Sequence, residues 1–292
     1  MKGVISMTNE ILKDLLNAWQ ISANVTEEDY IGADGLLYCA KCHTPKQQRL
    51  DEKIWSQFCK ITPDFPQITY MACDCKLQEE SKRKEAEHIA RIEQARERCF
   101  PEKQLRTWRF QTDRGISDRE AMHKAKIYAD RFAQALENNI GLTLWGDVGA
   151  GKSFLAACIA NSVIEQGYSC LMTSFSRIAD GAWSVEDKEA YFDSFSEYEL
   201  LVIDDFGVER KTGYISEIVT KVIEYRCKSS KPIIVTTNLT AATMTAESNR
   251  TEDRRVYSRL FEMTRWIQVK GSDLRGMLNL EKAKKSMEIF GF

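Results

Sequence analysis

Apolar residues in the second half of the chain fall into short continuous runs separated by longer stretches of helical periodicity. The runs are GLTLW at Gly141 to Trp145, YSCLMTS at Tyr168 to Ser174, LLVIDD at Leu200 to Asp205, PIIVTTN at Pro232 to Asn238 and WIQV at Trp266 to Val269. Apolar runs alternating with helical stretches are the pattern of strand–helix–strand units, so they predict an α/β fold with a five-stranded parallel sheet. A helical stretch, roughly Asp118 to Asn138, precedes the first run, and the apolar helix FLAACIANSVIEQG follows it. Near the start, Ile11, Leu12, Leu15, Leu16 and Trp19 recur at helical spacing between polar residues. That spacing predicts a short amphipathic helix whose apolar face needs a partner, either the domain's own core or a groove on another protein.

Between these regions the pattern changes twice. From Cys39 to Cys75 there is little periodicity, and prolines stand in or beside short polar turns, as expected of a small metal-stapled module. From Lys76 to Arg98 a dense mixture of Lys, Arg and Glu without Gly or Pro reads as a solvated helix laced with i,i+4 ion pairs. Its acids nearly balance its bases, which favours solvated surface over a nucleic-acid contact. The resulting division is a helix and small metal-stapled module over residues 1–76, a charged helical linker over 77–106 and an α/β domain over 107–292.

Composition adds bounds. The chain has 292 residues, 43% apolar and 29% charged, enough for one α/β core and a smaller appended module. A formal net charge of -2 supplies no global positive field, so any nucleic-acid contact must come from a local patch. The start has no unbroken apolar signal region, and no stretch reaches the roughly 18 apolar residues of a spanning helix, so a cytoplasmic protein with no membrane partner is expected. Nine cysteines, an odd number, fit buried thiols or metal ligands in a reducing compartment better than a disulfide framework.

Directly after GLTLW stands GDVGAGKS, comprising Gly146, Asp147, Val148, Gly149, Ala150, Gly151, Lys152 and Ser153, with Phe154 opening the helix. Strand, Gly-rich loop and helix in this order form a Walker A motif. Its glycines let successive N–H groups turn toward phosphate oxygens, and the helix N-terminus adds a favourable dipole. Lys152 would neutralise β- and γ-phosphate charge, and the Ser153 hydroxyl would ligate Mg2+. About fifty residues on, LLVI ends in Asp204 and Asp205, two carboxylates at the carboxyl edge of the sheet beside that loop. Asp204 would hold the Mg2+ shell. The next strand ends in Thr236, Thr237 and Asn238, and Asn238 is the favoured γ-phosphate sensor, an ordinary strand-to-turn cap being the competing reading. Downstream, Arg255 and Arg259 are four apart on one helix face, and Arg275 begins the final helix; each guanidinium suits the spread charge of phosphoryl transfer.

In this order of motifs the chain resembles the DnaC/DnaI-type helicase loaders and their IstB-like ATPase relatives, especially phage and mobile-element versions. The resemblance covers about Arg98 to Gly276 and rests on GDVGAGKS, LLVIDDFG, TTN, the Arg255–Arg259 pair and SDLR. It implies an AAA+ ATPase binding ATP and Mg2+, with Arg259 as arginine finger, Arg255 beside it and Arg275 as sensor 2. Asp205 takes the place where most AAA+ proteins carry the Glu that polarises the attacking water; its shorter side chain implies slow or partner-stimulated hydrolysis. Such loaders assemble as homo-oligomers with ATP sites at subunit interfaces. They grip a replicative hexameric DNA helicase and contact single-stranded DNA through loops that here would carry Phe175, Thr212 and Tyr214. Two rival readings are an IstB-like transposition ATPase and a nucleotide-gated adaptor with negligible turnover.

Cys39-x2-Cys42 and Cys73-x-Cys75, separated by thirty residues, suit four thiolate ligands around one Zn2+. Cys59 or His43 could substitute for one of them. Four thiolates leave no position for water, so the site would be structural. It resembles the amino-terminal zinc modules with which DnaI-like loaders dock on the helicase. Cys99, Cys158, Cys170 and Cys227 read as small core hydrophobes.

Overall fold

The computed structural model describes residues 24–61, 63, 65–113, 117–207, 213–246, 251–271 and 286–291. The segment Ile11 to Trp19, Thr212 and Arg275 lie outside the described residues. The chain forms two compact units that meet in sequence at Ala90 and Arg91.

In the first unit, strand β1 (Tyr30–Ile31) pairs antiparallel with β2 (Leu37–Tyr38), and β3 (Gln47–Arg49) pairs antiparallel with β4 (Ile68–Tyr70). Helix α1 (Glu52–Ile61) connects the second pair, and α2 (Asp74–Cys99) begins at the second cysteine pair and runs on into the second unit. Trp55 of α1 donates its indole N–H to the Phe65 carbonyl at 2.8 Å, and the Phe58 and Phe65 rings stack at 4.8 Å. Lys46, only 2% exposed, donates to the Asp29 carboxylate at 2.7 Å and to the Asn24 carbonyl at 2.6 Å. Burial opposes the Asp29 charge, but hydrogen bonds from Lys46, Thr26 and Ala40 outweigh it and bring the carboxyl to about 2.

The second unit holds helices α3 (Arg119–Asp130), α4 (Phe132–Glu137), α5 (Lys152–Glu165), α6 (Phe175–Trp183), α7 (Lys188–Ser194), α8 (Gly213–Lys228), α9 (Ala241–Ala246) and α10 (Thr251–Met263). Between them run strands β5 (Gly141–Trp145), β6 (Cys170–Thr173), β7 (Leu200–Phe206), β8 (Ile233–Thr237) and β9 (Thr264–Gln268). All pair in parallel, in the spatial order β6-β7-β8-β5-β9. The expected five-stranded parallel α/β core is therefore present.

Side-chain alternation builds its two faces. Leu200 and Val202 join one core with Ala121, Ala125, Leu155 and Ile159, from α3 and α5. Leu201 and Ile203 join the other with Ile178, Ile218, Val222 and Leu260, from α6, α8 and α10. Each central strand is thus apolar on both sides, which is why it reads as a continuous apolar run rather than an alternating one. Arg226 of α8, 1% exposed, donates to the carbonyls of Tyr198 at 2.6 Å, Glu199 at 2.8 Å and Pro232 at 2.5 Å. Burial pulls its guanidinium down to about 10, still a cation at neutral pH, and it ties the entries of β7 and β8 together through their backbone.

Candidate functional site: the phosphate loop and the cysteine cluster

The phosphate loop leaves the sheet at Gly146, where a Cβ would stand 2.2 Å from the Val269 carbonyl oxygen, so no larger residue fits the exit from β5. It enters α5 through Gly151, whose φ of +96° is a left-handed conformation that glycine adopts without a Cβ clash. Between these points Ala150 is buried and Val148 is 60% exposed. The loop therefore wraps around the N-terminus of α5, where unpaired N–H groups and the helix dipole favour an anion.

Lys152, 5% exposed, sits at that terminus. Its ammonium donates to the Gly146 carbonyl at 2.9 Å, the Asp147 carbonyl at 2.7 Å and the Asn238 side-chain oxygen at 2.7 Å. Ser153 donates its hydroxyl proton to Asp204 Oδ1 at 2.8 Å. Thr236 donates to the same oxygen at 2.6 Å and accepts the Asp205 amide at 2.9 Å. Lys152, Ser153, Asp204 and Asn238, which lie far apart in sequence, thus meet at the carboxyl edge of β5, β7 and β8.

A register shift between Ile203 and Phe206 bends β7 at the two carboxylates, with Asp205 at a φ of +57°. The bulge aims Asp204 at Ser153 and leaves Asp205 exposed. Burial, the foremost influence, raises the Asp204 carboxyl above its ordinary value, against the lowering effect of the Thr236 and Ser153 hydroxyls. A half-buried carboxylate beside a hydroxyl, at the mouth of a phosphate loop, offers oxygen donors of the kind Mg2+ takes.

The arginines stand elsewhere. Arg255 and Arg259 are exposed on α10, and with Arg254, Ser258, Thr220 and Glu224 they line a groove of about 620 Å3 against α8. Arg259 pairs with Glu262 at 2.8 Å. No phosphate-loop residue lines that groove.

The expectation for Phe175 is corrected. Its side chain is 1% exposed and packs edge-on against Phe206 at 5.8 Å in the core, so it has no face to offer a base. The open aromatic of α6 is Trp183, 77% exposed and edge-to-face with Tyr214 at 5.8 Å, with the Lys188 ammonium 5.7 Å from the Tyr214 ring centre. Sequence gives no signal for Trp183, an isolated aromatic at a helix end; Thr236, the first residue of the polar strand tip, is the one whose hydroxyl reaches Asp204.

In the first unit the sulfurs of Cys39, Cys42, Cys73 and Cys75 lie within 4.8 Å of one another. Cys39 and Cys75 are 3.7 Å apart, and Cys73 and Cys75 3.3 Å. Zinc–thiolate bonds of about 2.3 Å in a tetrahedron place sulfurs about 3.8 Å apart, so the cluster is compatible with Zn2+. Cys59 instead directs its sulfur toward the Phe65 carbonyl at 4.0 Å, and His43 Nδ1 faces the Tyr30 hydroxyl at 3.1 Å. The Thr44 hydroxyl, foremost, draws the Cys42 thiol down to about 5, while its sulfur neighbours, Cys73 first, push Cys75 up to about 12.

Sheet order, Gly-rich loop and edge carboxylate together define an ATP-binding α/β core of the AAA+ type. The chain belongs to the IstB-like ATP binding protein family, whose model matches residues 66–281. It is 30% identical over 134 residues to the replicative helicase loader DnaC of Escherichia coli strain K12, a match covering 43% of this chain and 52% of that protein. It is 28% identical over 102 residues to the replicative helicase loader DnaI of Bacillus subtilis strain 168, covering 34% of this chain and 33% of that one. The matches thus span about half of the DnaC protein and about a third of the DnaI protein. In fold it is similar to the crystal structure of the DnaC helicase loader, with a TM-score of 0.51 and 21% identity over 58% of this chain and 100% of that one. A crystal structure of DnaI matches with a TM-score of 0.50 and 21% identity over 59% of this chain and 96% of that one. Among the described residues no helix is long and apolar enough to cross a membrane.

Proposed function

We propose that this chain is an ATP-dependent loader of a replicative hexameric DNA helicase onto single-stranded DNA. The observation that carries the proposal is the 30% identity over 134 residues to a replicative helicase loader. The convergence of Lys152, Ser153, Asp204 and Asn238 supports an ATP site within the matching core. In this reading the phosphate-loop amides and Lys152 hold the triphosphate, Ser153 and Asp204 hold Mg2+, and Asn238 stands at the γ-phosphate. Asp205, exposed and short, orients the attacking water, and turnover is slow or stimulated by DNA or a partner. When bound, Mg2+ would supply charge neutralisation at the transferring phosphoryl group. Arg255 and Arg259, on a surface away from the phosphate loop, serve the site of a neighbouring protomer, and Arg275 serves the site of its own. The ATP sites then form at subunit interfaces of a cytoplasmic homo-oligomer.

Residues 1–76 form the zinc-dependent module that grips the helicase, residues 77–106 the linker and residues 107–292 the ATPase domain. Single-stranded DNA meets Thr212 and Tyr214, with Trp183 supplying the open stacking face beside Tyr214. Membership of the IstB-like ATP binding protein family leaves a second reading, a transposition ATPase that remodels DNA and recruits a transposase. A pull-down from native extract separates them. A co-purifying hexameric helicase, released by ATP, is the expected result; a transposase in its place supports the second reading, and neither partner supports a nucleotide-gated adaptor.

A further inference from the structure

Thr44 stands between the two cysteine pairs. Its Oγ1 lies 3.1 Å from Cys42 Sγ and accepts the backbone amide of Asp74 at 3.0 Å. Its carbonyl oxygen accepts the Cys39 amide at 2.9 Å. Asp74 is the residue between Cys73 and Cys75, so this one threonine touches both cysteine pairs.

A threonine hydroxyl carries one proton and two lone pairs. A Cys42 that serves as a thiolate ligand has no proton to give, so the proton between the two atoms is then the hydroxyl's, donated to sulfur. Threonine is also stiff about χ1, which holds the oxygen in place where a serine would turn freely. His43, with a φ of +57°, makes the left-handed step that follows Cys42 and brings Thr44 back alongside it. The Cys73-x-Cys75 spacing is one residue shorter than the two-residue gap of the first pair, so the Asp74 amide that Thr44 accepts belongs to the single residue joining two of the four cysteines.

We propose that Thr44 is a positioning residue of the metal centre: it donates a hydrogen bond to the Cys42 thiolate and, through the Asp74 amide, locks the first cysteine pair to the second. The proposal rests on the reading that the four cysteines hold Zn2+. Four thiolates around Zn2+ leave a net charge of about -2. A donor to sulfur spreads part of that charge, and outer-shell partners of this kind are typically worth about tenfold to a hundredfold in metal affinity.

The test uses the full chain with Thr44→Val, which keeps the shape and removes the hydroxyl, and Thr44→Ser, which keeps the hydroxyl. Zinc content is measured first, then zinc affinity by competition with a chromophoric chelator, then the thiolate-to-metal charge-transfer band after Co2+ substitution. Thr44→Val is expected to bind zinc about tenfold to a hundredfold more weakly and to shift that band, with Thr44→Ser within a few fold of the parent. Equal affinity in Thr44→Val, or an unmoved band despite weaker binding, overturns the proposal, because a purely structural hydroxyl leaves the thiolate's electronics alone. If Thr44→Val does not fold, a Thr44→Ser protein that has lost zinc affinity overturns it and one that retains affinity supports it. A parent protein that takes up no zinc removes the zinc reading itself and the role of Thr44 with it.

Discussion

Asp204→Asn is expected to remove magnesium-dependent ATP turnover while leaving the fold intact and the apoprotein slightly more stable. Asparagine keeps the oxygen that accepts the Ser153 and Thr236 hydroxyls, so the hydrogen bonds at 2.8 and 2.6 Å survive. What it loses is the negative charge that a Mg2+ shell needs. With several kcal/mol of transition-state stabilisation supplied by a metal, at about 1.4 kcal/mol per tenfold, the loss is about a hundredfold to a thousandfold in rate.

The stability change follows from the raised carboxyl. A folded-state value above the unfolded one means that this group stabilises the fold below the ordinary carboxylate range, and that the contribution is lost as pH rises through the raised value. At neutral pH the buried charge therefore costs stability in the free protein, and a neutral isostere relieves it. Thermal melts of the two proteins without nucleotide, beside phosphate-release assays, check both halves. An inactive variant that also melts lower would make Asp204 a structural residue.

Stripping the metal, by chelation or by Cys39→Ser, is expected to unfold the first unit and spare the ATP site. Among its described residues the buried apolar side chains are Cys39, Phe65 and Cys73, so two of the three are proposed ligands. The Lys46–Asp29 pair is the main other buried contact there, and an ion pair offers little net driving force once its desolvation is counted. Structural zinc sites contribute about 10–16 kcal/mol of apparent binding energy to folding, far more than so small a core supplies. Limited proteolysis should then cut residues 24–90 rapidly once chelator is added, while the ATP affinity of the second unit stays within about twofold. An unchanged digestion pattern, or metal analysis finding no zinc, would count against the metal-held module.

The parallel core was legible because burial on both faces leaves a signature that composition does not blur. LLVI becomes β7, with Leu200 and Val202 on one face and Leu201 and Ile203 on the other. The run of the phosphate loop was legible too, because a strand, three glycines and a lysine at a helix start leave little else for those residues to do. The bulge at Asp204 and Asp205 was not, since two successive acids at a strand end look the same whether the ladder is regular or shifted. Nor were Lys46 and Arg226, whose partners are a carboxylate 17 residues away and a set of backbone carbonyls that have no sequence identity. Phe175 was misplaced because its role came from position in a motif, while its burial is decided by packing against Phe206 and the α6 face. Trp183, eight residues further along the same helix, is where that face turns outward.

The central claim is that the loop from Gly146 to Ser153 binds the phosphates of ATP through its amides and the Lys152 ammonium. Calorimetric titration of the full chain with ATP and Mg2+, beside the same titration of Lys152→Ala, tests it most directly. The account predicts saturable binding of one ATP per chain in the parent protein and at least about a hundredfold weaker binding in the variant, as removal of a buried charged partner of phosphate implies. Equal binding by the two proteins, or no binding by the parent, would contradict it.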